Sequence, residues 1–242
     1  VDSGFIGAPP GSGLSVPNHG AHVATADEAD WSRLETATLY LCHEGTASST
    51  EKRAIVRRLK QMPAGAVLLI EDETILRLFP PLRACWALRG EQAVVPITGQ
   101  NAKRVLFGVI NPRTGHRILT RAHSMRQEAF QAFLHVLRQR YLGRPIWLVL
   151  DEASCHTAKG SQQLAARLNI TLIWLPKQCS ELNAMDHLWR ELKGKIAANR
   201  QFADIDQAAL HAEEWVLGLT KNQALCKAGV LSKNYWLKYF CQ

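Results

Sequence analysis

Short apolar runs closed by acidic or turn-forming residues alternate along this chain with stretches whose apolar positions recur every three or four residues. Val67–Glu71, Ile146–Leu150 and Ile170–Leu175 are runs of the first kind, rich in Val, Leu and Ile, and they predict strands buried on both faces. Further strands are expected at 92–98, 103–111 and 116–122, with Asn111-Pro112-Arg113-Thr114-Gly115 supplying hairpin-turn chemistry between the last two. Helical spacing predicts helices from about Ser49 to Met62, Arg126 to Leu142, Ser161 to Leu168 and Ala184 to Ala198, then a helical C-terminal third. Strands first, then strand and helix in alternation, describe an α/β protein with a mixed sheet flanked by helices.

This pattern divides the chain into a poorly defined segment at 1–50, a catalytic-size domain at 51–220 and a helical extension at 221–242. Residues 1–30, rich in Gly, Ser, Pro, Ala and His, read as disordered or as a linker, and 31–50 stay ambiguous between helix and strand. Opening at Val1 rather than Met reads as a fragment, a processed product or a mis-started frame. Neither a secretory signal nor an apolar run of about 18 residues is present, so the expectation is a cytoplasmic protein. Six scattered cysteines, with no pair at zinc-knuckle spacing, suit reduced thiols there. The net charge of +8 favours a polyanionic partner, nucleic acid first.

Chemistry enters with three acids. Asp72 and Asp151 each follow a buried apolar run, and Asp186 lies near the start of a predicted helix. Alone, Asp72 reads as a solvated strand end, and Asp186, three residues after Asn183, as part of a helix cap. Together they read differently. Sheet interiors do not tolerate carboxylates unless their charge is offset, and sites in α/β sheets form beyond the carboxyl ends of strands. Asp186, Arg190 and Lys193 recur at intervals of four and three, so one helical face carries an acid beside two cations. His156 either orients a phosphate or a water beside the second acid or is a hydrogen-bonded loop residue; Glu73 and Glu152 read either as auxiliary ligands or, first, as solvated neighbours. Trp86, after two prolines, is either a small core anchor or a platform for a base.

The phrases LLIEDET, CWALRGEQAVVPITGQNAKRVLFGVINPRTG, LVLDEASCHTA and WLPKQCSELNAMDHLWRELK resemble, in order, the catalytic domain of the mariner-type DDE transposases, most nearly the bacterial insertion-sequence branch. The 34 residues between Asp151 and Asp186 match that family's gap between its second and third acids, and Asp at the last position lies within its range. The likeness covers roughly residues 51–240. It implies a ribonuclease H-like fold with a mixed five-stranded sheet, with Asp72, Asp151 and Asp186 as catalytic residues holding Mg²⁺ or Mn²⁺, two ions in all. The substrate it implies is double-stranded DNA at transposon ends and targets, cut to leave a 3′-hydroxyl that then attacks the target. Arg190, Lys193 and Lys195, with His156, are the expected DNA contacts near the site; the Lys52–Lys60 cluster and Lys103-Arg104 lie farther off. A homodimer, associated with the bacterial nucleoid when DNA-bound, is the family's expectation.

The chain departs from the family at Glu152, where Asn is common, and at Ser180 and Ala184, where Pro is common. Residues 1–50 show no pair of helix-turn-helix units, which such transposases carry upstream to read their ends, so a truncated copy is expected. The alternatives are a catalytically inactive DNA-binding remnant and a ribonuclease H-like nuclease acting on other nucleic acid.

Overall fold

A computed structural model describes residues 49–86 and 92–241; the readings of 1–30 and of most of 31–50 lie outside the described residues. The sheet has five strands, β1 (Val67–Arg77), β2 (Lys103–Ile110), β3 (Arg117–Ala122), β4 (Ile146–Leu150) and β5 (Ile170–Trp174), in the order β3-β2-β1-β4-β5. The first three form an antiparallel meander, while β1 with β4 and β4 with β5 run parallel. The expected mixed five-stranded sheet is thus present.

Around it lie α1 (Ser49–Leu59), α2 (Gln127–Arg140), α3 (Ser154–Thr157), α4 (Lys159–Arg167), α5 (Ala184–Leu192), α6 (Ile205–Gly218) and α7 (Lys221–Lys227). Alternation along β1 sorts the two layers. Val67 and Leu69 face Phe130, Phe133 and Leu134 of α2, while Leu68 and Ile70 face the layer built by α1, α5, α6 and α7. Ala224, Ala228, Val230, Leu237 and Phe240 join that second layer, so residues 221–241 pack into the core of the preceding region. Among the described residues no helix is long and apolar enough to cross a membrane.

Four local expectations change. β1 does not stop at Glu71 but runs on to Arg77. Its parallel pairing with β4 covers only Val67 to Ile70, whereas its antiparallel pairing with β2 covers Ile70 to Arg77. Asp72 is therefore inside a strand, at the point where its β4-side neighbour has ended. No strand forms at 92–98: Pro96 has no amide hydrogen, Val94 is exposed, and the Thr98 amide donates to the Gln201 side chain rather than to a strand. The helix predicted over 184–198 is α-helical only to Leu192 and widens into a π turn over Lys193–Ala197. Trp86 is no core anchor; it stands almost fully exposed.

A glycine sets how close α5 comes. Gly108 of β2 lies opposite Asp72, and a Cβ there would fall 2.6 Å from Trp189 Cζ2 and 2.7 Å from Met185 Cε. The bare backbone makes room for the buried Trp189 and draws α5 onto the sheet. Gly108→Ala should destabilise the protein by about 1–3 kcal/mol through overpacking, read as a lowered urea midpoint with an unchanged m-value.

Candidate active site

The site is assembled from one strand interior, one strand end and one helix start. Asp72 projects from β1 on the α5 side, Asp151 immediately follows β4, and Asp186 sits in the first turn of α5. All three line one cleft of about 400 Å³, together with Glu152, Asn183 and the loop Leu175–Ser180. Asn183 anchors the third element. Its side-chain oxygen accepts the Met185 amide at 2.9 Å, capping α5, and its side-chain nitrogen donates to the Glu71 carbonyl at 2.8 Å. The cap thereby ties the start of α5 to the residue before Asp72.

The charges interact. Asp72 keeps part of its surface in the cleft, but the protein crowds around its carboxyl. Burial, then Glu73, Asp186 and Asp151, push it well above the ordinary carboxylate range. Asp151 moves the other way, held low chiefly by the hydrogen bond from His156, with the Ala153 amide assisting against partial burial. Its Oδ1 accepts from Ala153 N–H at 3.0 Å and from His156 Nδ1 at 3.0 Å. That leaves Oδ2 for a ligand in the cleft.

The other cleft residues explain what the remaining candidates do. Lys177 is the single cation among the lining residues and sits 3.5 Å from Glu152. Arg190 lies exposed, its Nε 3.3 Å from Asp186 Oδ2. Lys193 lines a different cleft with Phe79, Pro80 and Pro81, and Lys195 is exposed on the π turn. Arg104 is engaged in a two-pronged pair with Asp206 at 2.7 and 2.8 Å. His156 is fully buried, so its ring is out of reach of an incoming strand and cannot make the expected DNA contact.

Glu73 is not a solvated neighbour either. Glu71 and Glu73 leave β1 on the face opposite Asp72, toward α2 and α3. There Glu73 Oε1 lies 2.8 Å from His156 Nε2 and accepts the Cys155 thiol at 3.2 Å. Glu71 Oε2 is 3.4 Å from the same nitrogen. Neither Glu71 oxygen has a hydrogen-bond partner, and burial, then the Glu73 charge, push this carboxyl well above the ordinary carboxylate range, with His156 pulling the other way. Sequence reasoning missed this buried group because three consecutive acids read as a solvated strand end. The period-two alternation of a strand was the available signal, since it sends Glu71 and Glu73 away from Asp72.

The donor set fits a hard divalent cation. Asp72, Asp151 and Asp186 offer only carboxylate oxygens around an open cleft, and the raised Asp72 marks a place short of positive charge. A second cluster of metal-ligating atoms, from Glu73, Cys155 and His156, lies within 4.8 Å, but these atoms engage one another.

Comparison with known proteins agrees with this geometry. Residues 67–209, over half of the chain, match the family model for the DDE superfamily endonuclease. The chain belongs to the DDE superfamily of endonucleases. It is 29% identical over 156 residues to an insertion element IS630 39 kDa protein of Shigella sonnei, and 31% identical over 107 residues to an uncharacterised protein of Sinorhizobium fredii. Those matches cover 64% and 44% of this chain and 46% and 77% of the relatives, so it spans about half the length of the IS630 protein. In fold it resembles the mariner Mos1 transposase paired-end complex solved with Mg (TM-score 0.62, 17% identity, 86% of this chain and 66% of that one). It also resembles the Mos1 catalytic domain (TM-score 0.53, 14% identity, 78% and 88%). The DDE endonuclease domain thus has the ribonuclease H-like fold of the mariner and IS630 type that the four sequence blocks implied.

The crowded acids make a stability prediction. A carboxyl raised by folding gives stability that is complete below the ordinary carboxylate range and is lost as pH rises through its folded value. In a chelator, the urea midpoint should therefore decline as pH rises above about 5, and Asp72→Asn should flatten the decline and raise the midpoint at pH 8. An unchanged slope in that variant would show that Asp72 is not under charge strain.

Proposed function

We propose that this domain is the catalytic part of an insertion-sequence transposase, cutting DNA at the element's ends and joining the freed 3′-hydroxyl to a target. The observation that carries the proposal is the meeting of Asp72, Asp151 and Asp186 in one cleft, from three elements distant in sequence. These three residues would hold divalent ions, Mg²⁺ or Mn²⁺, two in all. Bound there, the ions would activate a hydroxyl nucleophile and stabilise charge on the attacking and leaving oxygens of a phosphodiester.

The chain's own residues supply the rest. Asp72 is placed by the sheet, Asp186 by the capped start of α5, and Asp151 by its bonds to Ala153 and His156, so the donors are fixed before any substrate arrives. Lys177 is the cation placed to meet a scissile phosphate, and Arg190 would exchange its Asp186 contact for phosphate as DNA enters. Water and a DNA 3′-hydroxyl both attack through an oxygen that loses its proton, so one cleft suits both the cutting and the joining step. A cytoplasmic setting, nucleoid association on DNA and a homodimer that pairs two ends belong to the same proposal. Recognition of the ends would come from a module outside the described residues.

Purified protein should nick duplex DNA only with Mg²⁺ or Mn²⁺, and Asp72→Asn, Asp151→Asn or Asp186→Asn should each lower the rate by about 10²–10³-fold, several kcal/mol of transition-state stabilisation. Equal nicking by wild type and variants removes the catalytic reading. Salt-sensitive DNA retention without cleavage in any metal would instead identify a binding remnant, and cleavage confined to RNA–DNA hybrids a nuclease.

A further inference from the structure

The buried group behind the sheet does something for the cleft in front of it. We infer that His156 is a positioning residue: clamped on the inner face by Glu73 and Glu71, it fixes the carboxylate of Asp151 for metal binding. The inference rests on the reading of Asp151 as a metal ligand.

The geometry runs through the end of β4. Glu71 and Glu73 occupy one face of β1 and Asp72 the other, so the two groups of acids cannot touch through the strand. Asp151 lies past the last residue of β4, where no strand separates the faces, and it alone belongs to both. It lines the cleft, yet its Oδ1 meets His156 Nδ1 at 3.0 Å, and the Asp151 carbonyl lies 3.1 Å from the same nitrogen. The far nitrogen is held in turn, 2.8 Å from Glu73 Oε1, close enough for ion pairing, and 3.4 Å from Glu71 Oε2, though neither contact is aligned as a hydrogen bond.

The ring itself has nowhere to go. It is fully buried, and Phe130 of α2 packs against it at 4.4 Å between centroids. Its backbone is pinned by the amide bond to the Ala153 carbonyl at 3.0 Å, and Ser161 Oγ donates to the neighbouring Cys155 carbonyl at 2.7 Å. A half-exposed aspartate on a loop would otherwise sample several rotamers, each placing its oxygens differently. One oxygen bound to a rigid imidazole and a backbone amide leaves the other with a single direction. This is how outer partners tune ligands at metal sites, where their loss costs about 10–100-fold in affinity or activity.

The two ring nitrogens can be replaced separately. Asn retains a side-chain donor near the Nδ1 position, facing Asp151, while Gln retains one near Nε2, facing Glu73. Binding of Mn²⁺ by the purified chain, followed through the electron paramagnetic resonance of the free ion, should weaken by about 10–100-fold in His156→Gln and stay nearly intact in His156→Asn. Thermal melts in chelator report whether each variant is folded. A role confined to holding the fold predicts the reverse order or none, because Gln preserves the more deeply buried contact. Equal Mn²⁺ binding by the folded Gln variant, or equal losses in both, overturns the inference. Should His156→Gln not fold, His156→Asn decides alone: a loss as large as that of Asp151→Asn overturns it. Stoichiometric zinc in the wild type that disappears in Cys155→Ser would make His156 a ligand rather than a support, and would also overturn it. Failure of the wild type itself to bind Mn²⁺ would sink the metal-site reading first, a result distinct from these.

Discussion

A carboxylate inside the central strand of a buried sheet is the constraint on which the rest of this structure turns. Asp72 sits there with burial and three neighbouring acids against its ionisation, a combination no hydrophobic core would select. The surrounding architecture makes it tolerable and gives it a use. β4 ends at Leu150, short of Asp72, so that a cleft opens beside the strand rather than another strand. The charge that would be intolerable under a closed sheet faces a cleft that water and cations can enter.

The same constraint explains why α5 is so firmly held. An acid at the start of a helix is useful near Asp72 only if the helix lies hard against the sheet. Two features place it there: Gly108, whose missing side chain admits Trp189, and Asn183, which caps the helix while gripping the Glu71 carbonyl. Trp189 is one turn beyond Asp186, so packing of the tryptophan positions the acid. Neither residue carries chemistry, yet both set the distance over which the chemistry acts.

Much of this was legible in the sequence, and what was not follows a pattern. Val67–Ile70, Ile146–Leu150 and Ile170–Trp174 were readable as strands because they are buried on both sides, which a run of Val, Leu and Ile announces. The three acids stood out because each interrupts or ends an apolar pattern. Properties that depend on the partner strand were hidden: that β1 continues past Glu71, held only by β2, and that 92–98 finds no partner strand among the described residues. His156 was visible as a candidate but not its direction. Its place just past Asp151 allowed a phosphate or water contact or a loop hydrogen bond, and the short α3 turns its ring inward against Phe130.

Strand alternation then resolves the run Glu71-Asp72-Glu73 into two jobs. One acid faces the cleft and two face the opposite layer, where the imidazole of His156 is the nearest cation to both. Burial and the Glu73 charge push Glu71 well above the ordinary carboxylate range, and the repulsion felt by Asp72 comes first from Glu73 and then from its partners across the cleft. One strand of the sheet therefore separates two acids that face a buried histidine from three that face an open cleft. That asymmetry would favour an incoming cation in the cleft over one behind it: behind, a buried histidine already faces the acids, whereas in front the side-chain cations, Lys177 and Arg190, stand exposed to solvent.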